Sequence, residues 1–202
     1  MKYVIRKVPE RNTKYLERLI PDALVYNDTV HEGAIWSFVQ AIEKVDDDAV
    51  YVQDDMILCR DFIQRTQEYV NKYPDEVIVF SNFSHGKLTQ KAVTEGFFHP
   101  KEGGWLLCTY IPKELAKGFA QWWRGSRWRH TVPASSYCNW IKRQYDDIFF
   151  RQYLIEQGRQ VFVTVPNLAG HPKNESVIDK RPPKWTTNFD FENAEPRDSD
   201  EY

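Results

Sequence analysis

The sequence is short of cysteine, of net positive charge and of long apolar runs, and each shortage removes a class of protein. Three cysteines in 202 residues, Cys59, Cys108 and Cys138, are odd in number and far apart. That excludes a disulfide scaffold or a clustered zinc site and reads as reduced core thiols. No apolar segment approaches the ~20 residues of a membrane span, and Met1-Lys2-Tyr3-Val4-Ile5-Arg6 carries charge within its first apolar run. A soluble, cytoplasmic protein with no stable membrane association is expected. A formal charge of -2 and a pI near 6.2 exclude a globally basic nucleic-acid binder and leave room for a local basic patch. Glycine is also absent from Val8-Pro9-Glu10-Arg11, after the first apolar run, where a nucleotidyltransferase would normally carry a Gly-rich phosphate loop.

What is present fits one domain with a sizeable core, since 42% of the residues are hydrophobic. Lys2 to Lys7 reads as a strand, and Asn12 or Thr13 caps a helix that runs through Ile20 to the stop at Pro21. Ala23-Leu24-Val25-Tyr26 is a second strand. From His31 to Lys44 the apolar residues Ile35, Phe38, Val39 and Ile42 keep helical spacing. A strand from Ala49 leads to Asp54, a helix covers Arg60 to Tyr73, and Val77 to Phe80 is a further strand. This alternation predicts an α/β fold with a mainly parallel, Rossmann-like sheet and helices on both faces. Ser81 to Gly104 is loop-rich or hairpin-like. Trp105 to Tyr110 reads as a strand, Glu114 to Trp123 as an amphipathic helix, Ser135 or Ser136 to Lys142 and Tyr145 to Gln157 as helices, and Val161 to Val165 as a last strand. Residues 1–178 form the expected domain. Residues 179–202 are polar and proline-bearing, and a mobile tail is expected there.

Three polar clusters sit where strands end or helices begin. In Tyr51-Val52-Gln53-Asp54-Asp55-Met56-Ile57-Leu58, two carboxylates interrupt an apolar run that then resumes, which is the wrong place for charge unless it marks a turn or a site. Asp146-Asp147 opens a helix, where acids favour the dipole or one of them serves as a general base. His171 follows a strand within a Gly-Pro loop and reads as a ligand or an exposed turn residue. A carboxylate pair with a distant histidine gives hard or borderline ligands, with positions left for the oxygens of a diphosphate. That set suits Mg²⁺ or Mn²⁺ acting as a Lewis acid.

Tyr51-Val52-Gln53-Asp54-Asp55, Tyr145-Asp146-Asp147 before a helix, and Val165-Pro166-Asn167-Leu168-Ala169-Gly170-His171 followed by Ser176 together resemble small glycosyltransferases of the GT-A fold. More narrowly the chain is similar to phage-encoded members associated with DNA base hypermodification, and more distantly to lipooligosaccharide transferases. The likeness spans roughly Tyr3 to Ser176. It implies a GT-A-like single domain, a nucleotide-sugar donor (a UDP-sugar), Mn²⁺ or Mg²⁺, and, for a phage protein, the host cytoplasm. Gln53 replaces the first acid of the family's Asp-x-Asp motif. The resemblance therefore puts the metal on Asp55 and His171, with Asp54 on the donor ribose or a metal-bound water. It makes Asp147, or its neighbour Asp146, the base of an inverting displacement, and places Arg6, Arg11 and Asp28 at the nucleotide.

Between Lys113 and Arg143, basic residues alternate with tryptophans and Glu114 is the sole acid. Trp122, Arg124, Arg127, Trp128 and Arg129 are the candidate acceptor contacts, cations for phosphates and aromatic faces for bases. The expected acceptor is a hydroxymethylated pyrimidine in DNA. Rival readings are a glycan or lipooligosaccharide acceptor and a non-catalytic nucleotide- or DNA-binding module. Oligomeric state is left open.

Overall fold

A computed structural model describes residues 1–29, 33–81, 83–84, 95–103, 106–125, 146–170, 186–187 and 189–196. The strands are β1 (Lys2–Lys7), β2 (Leu24–Asn27), β3 (Ala49–Gln53), β4 (Ile57–Leu58), β5 (Val77–Val79), β6 (Phe83–Ser84), β7 (Gly96–Phe98), β8 (Cys108–Ile111), β9 (Val161–Val163), β10 (Ala169–Gly170) and β11 (Thr186–Thr187). The helices are α1 (Lys14–Leu19), α2 (Ala34–Glu43), α3 (Phe62–Lys72), α4 (Pro100–Gly103), α5 (Lys113–Gly125) and α6 (Asp146–Glu156).

Among the described residues, seven strands form the central sheet in the order β2-β1-β3-β8-β5-β9-β7. β2, β1, β3, β5 and β9 share one direction, while β8 and β7 run against them. The mainly parallel sheet expected from the alternating elements is therefore present, with one reversal in its interior. β8 was expected from its apolar residues, but an apolar run reads alike in both directions and carries no sign of its polarity.

Side chains alternate across the sheet with period two. Val4 and Tyr51 face α2, α5 and α6, where Phe38, Phe119, Phe150 and Trp123 complete one core cluster. Ile5, Val50, Val52 and Phe80 face the other way, against Tyr15 and Leu16 of α1 and Phe62 and Val70 of α3. The spacing of Ile35, Phe38, Val39 and Ile42 put those residues on one helix face, and all are buried. Gly33 precedes that helix at φ 109, a conformation that favours glycine. No described helix is long and apolar enough to cross a membrane.

Two short ribbons lie outside the main sheet. β10 pairs antiparallel with β4, and β11 with β6. Within the segment from residue 179, residues 189–196 are described and lie against the sheet. Phe189 is buried against the α1/α3 side of the sheet. Behind it, the Glu195 N–H donates to Leu58 O at 3.0 Å and the Arg60 N–H to Asn193 O at 3.1 Å. One aromatic residue in a polar segment, helped by main-chain hydrogen bonds, holds this strap down without any periodic apolar pattern.

Candidate functional site

In sheets of this kind ligands bind beyond the carboxyl ends of the strands, at the point where strand order reverses. Here that point lies beside β1, which has β2 on one side and β3 on the other, with Arg6 level with Gln53. The candidate residues at the ends of the first three strands are drawn together there. The Asp28 N–H donates to Lys7 O at 2.8 Å, which sets Asp28 at the end of β1, and its side chain is buried. The Val8 N–H donates to Asp54 Oδ2 at 3.1 Å. Arg11 Nη2 lies 3.6 Å from Asp55 Oδ2.

Asp54 ionises against its surroundings. Burial first, and then the charge of Asp55, push its carboxyl up to about 6, against the opposing pull of the Val8 N–H, Arg11 and Arg6. The like charge of the adjacent carboxylate raises the cost of ionising Asp54, and a cation placed beside the pair would lower it.

The chain leaving Asp55 enters β4, where Ile57 pairs with Gly170 and Leu58 with Ala169. The Cys59 N–H donates to Leu168 O at 2.9 Å, and the N–H groups of Leu168 and Ala169 both donate to Phe80 O, at 2.9 and 3.1 Å. The stretch that leads into His171 is thus laid beside the stretch that follows Asp55. His171 itself lies outside the described residues. Among the described residues, no three His, Cys, Asp or Glu side chains gather to hold a metal ion.

The second acidic pair reaches the same end of the sheet through Arg6. Arg6 Nη1 is 2.7 Å from Asp146 Oδ2, with 7% of each side chain exposed. Its Nη2 is 3.5 Å from Leu106 O, and its guanidinium lies 4.7 Å over the Phe38 ring. Among the described residues its Nε finds no hydrogen-bond partner. Asp146 Oδ1 accepts the N–H of Asp147 at 3.0 Å, and Asp147 Oδ2 is 3.4 Å from Arg151 one turn along α6. Burial, followed by the charge of Asp146, pushes the Asp147 carboxyl up to about 6. Arg6 therefore sits between the two acidic clusters: its charge pulls on Asp54 and its hydrogen bond holds Asp146. Nothing in the spacing of the sequence pairs residue 6 with residue 146. Ser81, fully buried just beyond β5 with no hydrogen-bond partner for its Oγ among the described residues, left no sequence signal either, as a lone serine carries no pattern.

The basic and aromatic segment is only partly described. Trp123 is buried in the core, and Trp122 packs against it while its Nε1–H donates to Glu156 at 2.7 Å. Arg124 forms a two-pronged pair with Glu43 at 2.6 and 2.7 Å. Lys113 and Lys117 both meet Asp46, at 3.0 and 2.5 Å. Arg127, Trp128 and Arg129 lie outside the described residues.

No family model matches the chain, and no curated protein matches it at a significant level. Among solved structures it is similar to A197 from STIV, at 12% identity and a TM-score of 0.50, with 81% of this chain and 82% of that one covered. It also overlaps CMP:2-keto-3-deoxy-manno-octonic acid synthetase complexed with CTP, at 9% identity and a TM-score of 0.41, over 80% and 70% of the two chains. The first likeness is one of fold, and the second is too loose to build on. The chain is an α/β protein with a mainly parallel, Rossmann-like sheet and shares its fold with A197 from STIV, with Asp28, Asp54 and Asp55 at the carboxyl ends of β2 and β3.

Proposed function

We propose that this chain is a divalent-metal-dependent glycosyltransferase that moves a sugar from a nucleotide sugar, a UDP-sugar, to a hydroxyl group. The observation that carries this reading is that Arg6, beside the point where strand order reverses, is paired with Asp146 of the second acidic pair while its charge also acts on Asp54 of the first. Asp54 and Asp55 offer hard oxygen donors under like-charge pressure, which fits Mn²⁺ or Mg²⁺. Asp55 and His171 would hold the ion and Asp54 the donor ribose or a metal-bound water. When bound, such an ion supplies a Lewis acid for the departing diphosphate. Arg11 and Asp28 face the nucleotide, with Arg6 behind them. Asp147 takes the acceptor's proton in an inverting displacement.

The acceptor we propose is a hydroxymethylated pyrimidine in DNA, supported by the interleaved arginines and tryptophans of the segment from Lys113 to Arg143. A second reading, a glycan acceptor, is favoured by one observation: Lys113 and Lys117 share the Asp46 carboxylate and Arg124 is paired with Glu43, so much of this charge is already offset before any phosphate arrives. Mass spectrometry of a donor screen, with hydroxymethylcytosine-containing DNA and a plain oligosaccharide as competing acceptors, separates the two. Sugar transfer to neither, together with DNA retention in gel shifts, would replace both with a non-catalytic binding module. Calorimetry of Mn²⁺ and donor on Asp55→Ala tests the metal: unchanged affinity removes it.

A further inference from the structure

Arg6 and Asp146 are 140 positions apart in sequence and meet inside the molecule at 2.7 Å. Removing two charges from water commonly costs as much as their attraction returns, so an interior pair is weak grounds for stability alone. Its surroundings give it another role. β1 supplies the arginine, the Phe38 ring of α2 lies beneath it, and Leu106 O, on the chain entering β8, lies against it. The guanidinium is restrained from three sides. Asp146 has both oxygens engaged, Oδ2 by Arg6 and Oδ1 by the Asp147 N–H. Asp147 is held differently: Arg151 approaches one oxygen at 3.4 Å, and 15% of its side chain remains exposed.

We propose that Arg6 is a positioning residue for the acceptor-side base: through Asp146 it fixes the first turn of α6, so that Asp147, and not Asp146, is the carboxylate presented to the acceptor hydroxyl. This rests on the glycosyl-transfer reading and assigns separate roles to two adjacent acids. In the step itself the proton of the acceptor O–H passes to Asp147. The acceptor oxygen forms its bond to the anomeric carbon as the bond from that carbon to the diphosphate oxygen breaks, and the electron pair leaves with the diphosphate. Asp146 is the less accessible of the two acids, with Oδ2 held by Arg6 and Oδ1 by the Asp147 N–H. Its charge instead acts on Asp147 from the same turn.

The charges that act most strongly on Asp147 are Asp146 and Arg151 on its own helix. Arg6 reaches it from β1 through Asp146. Of the helices packed on α6, α2 and α5 place Glu43 and Arg124 in a pair with each other, and α4 carries Lys101 and Glu102.

The test uses Asp146→Asn and Arg6→Lys in the full chain, with pH–rate profiles and donor KM beside kcat. Asp146→Asn removes the like charge and moves the acidic limb below its wild-type position, with donor KM within about twofold. Arg6→Lys keeps the charge and loses the planar fork, so kcat falls ~10-fold or more at unchanged donor KM. An acidic limb that stays in place in Asp146→Asn overturns the proposal, as does a loss that appears in donor KM and not in kcat. The Asp146→Asn profile decides alone if Arg6→Lys does not fold. Retained turnover in Asp147→Asn is a separate outcome, which removes the base assignment itself.

Discussion

The Val8 N–H donates to the Asp54 carboxylate over 3.1 Å, so the acidic stretch after β3 is pinned to the chain leaving β1. A backbone donor cannot be titrated away, and this one holds Asp54 in place even though burial and Asp55 disfavour its charge.

Stability should therefore respond to pH through Asp54. Its folded carboxyl titrates at about 6, against 3.8 for an ordinary aspartate, so between those values the folded state binds the extra proton. Stability is full below the unfolded value and declines as pH rises through the folded one. Asp54→Asn, which keeps an acceptor for Val8, should stabilise the metal-free protein by ~1–2 kcal/mol at pH 8 and by almost nothing at pH 4. Urea unfolding at the two pH values checks this; an equal gain at both would sink it.

Gly118 sets the approach of α5 to α6. A Cβ at that position would run into the hydroxyl of Tyr153. Gly118→Ala should destabilise by ~1–2 kcal/mol despite the helix propensity it gains. In a Tyr153→Phe background the same change should turn neutral or stabilising by up to ~1 kcal/mol. Thermal melts of the four proteins form the cycle, and additive effects would disprove the contact.

The strap depends on Phe189 lying against Gly170, where any Cβ would overlap the ring. Phe189→Ala should cost ~2 kcal/mol or more and open residues 186–196 to protease, and Gly170→Ala should give the same cleavage pattern. Limited proteolysis read by mass spectrometry tests both, with an unchanged pattern as the contrary result.

If DNA is the acceptor, its salt dependence divides the basic segment. Lys113→Gln with Lys117→Gln removes two charges that share the single Asp46 carboxylate and should reduce the slope of log affinity against log salt by no more than ~1. Arg127→Gln with Arg129→Gln should reduce that slope by ~2. Equal effects of the two pairs would remove the distinction.

Much of the fold was legible because burial imposes period. Ile35, Phe38, Val39 and Ile42 could be read as one helix face, and Asp54-Asp55 could be read as a site because charge is excluded from a buried strand. The reversal of β8 was not legible, since Cys108 to Ile111 is buried on both faces and carries no sign of direction. The β4–β10 ribbon is only two residues wide and leaves no periodic trace. The Arg6–Asp146 pair depends on tertiary proximity alone, and the docking of Phe189 depends on a single aromatic residue in a segment whose composition reads as solvated.

β1 lies in the interior of the sheet, yet the cation near its end finds its ion-pair partner on α6. During synthesis the strand emerges first and can gather β2 and β3 around it as they follow, while the Arg6 pair cannot close until residue 146 is available. Order of assembly is thereby written into one charge: the sheet's first half can condense early, and the last turn of tightening waits for nearly three quarters of the chain. Fragments that stop before α6 inherit a buried cation without its carboxylate, a liability that any scheme for splitting or permuting this protein must respect.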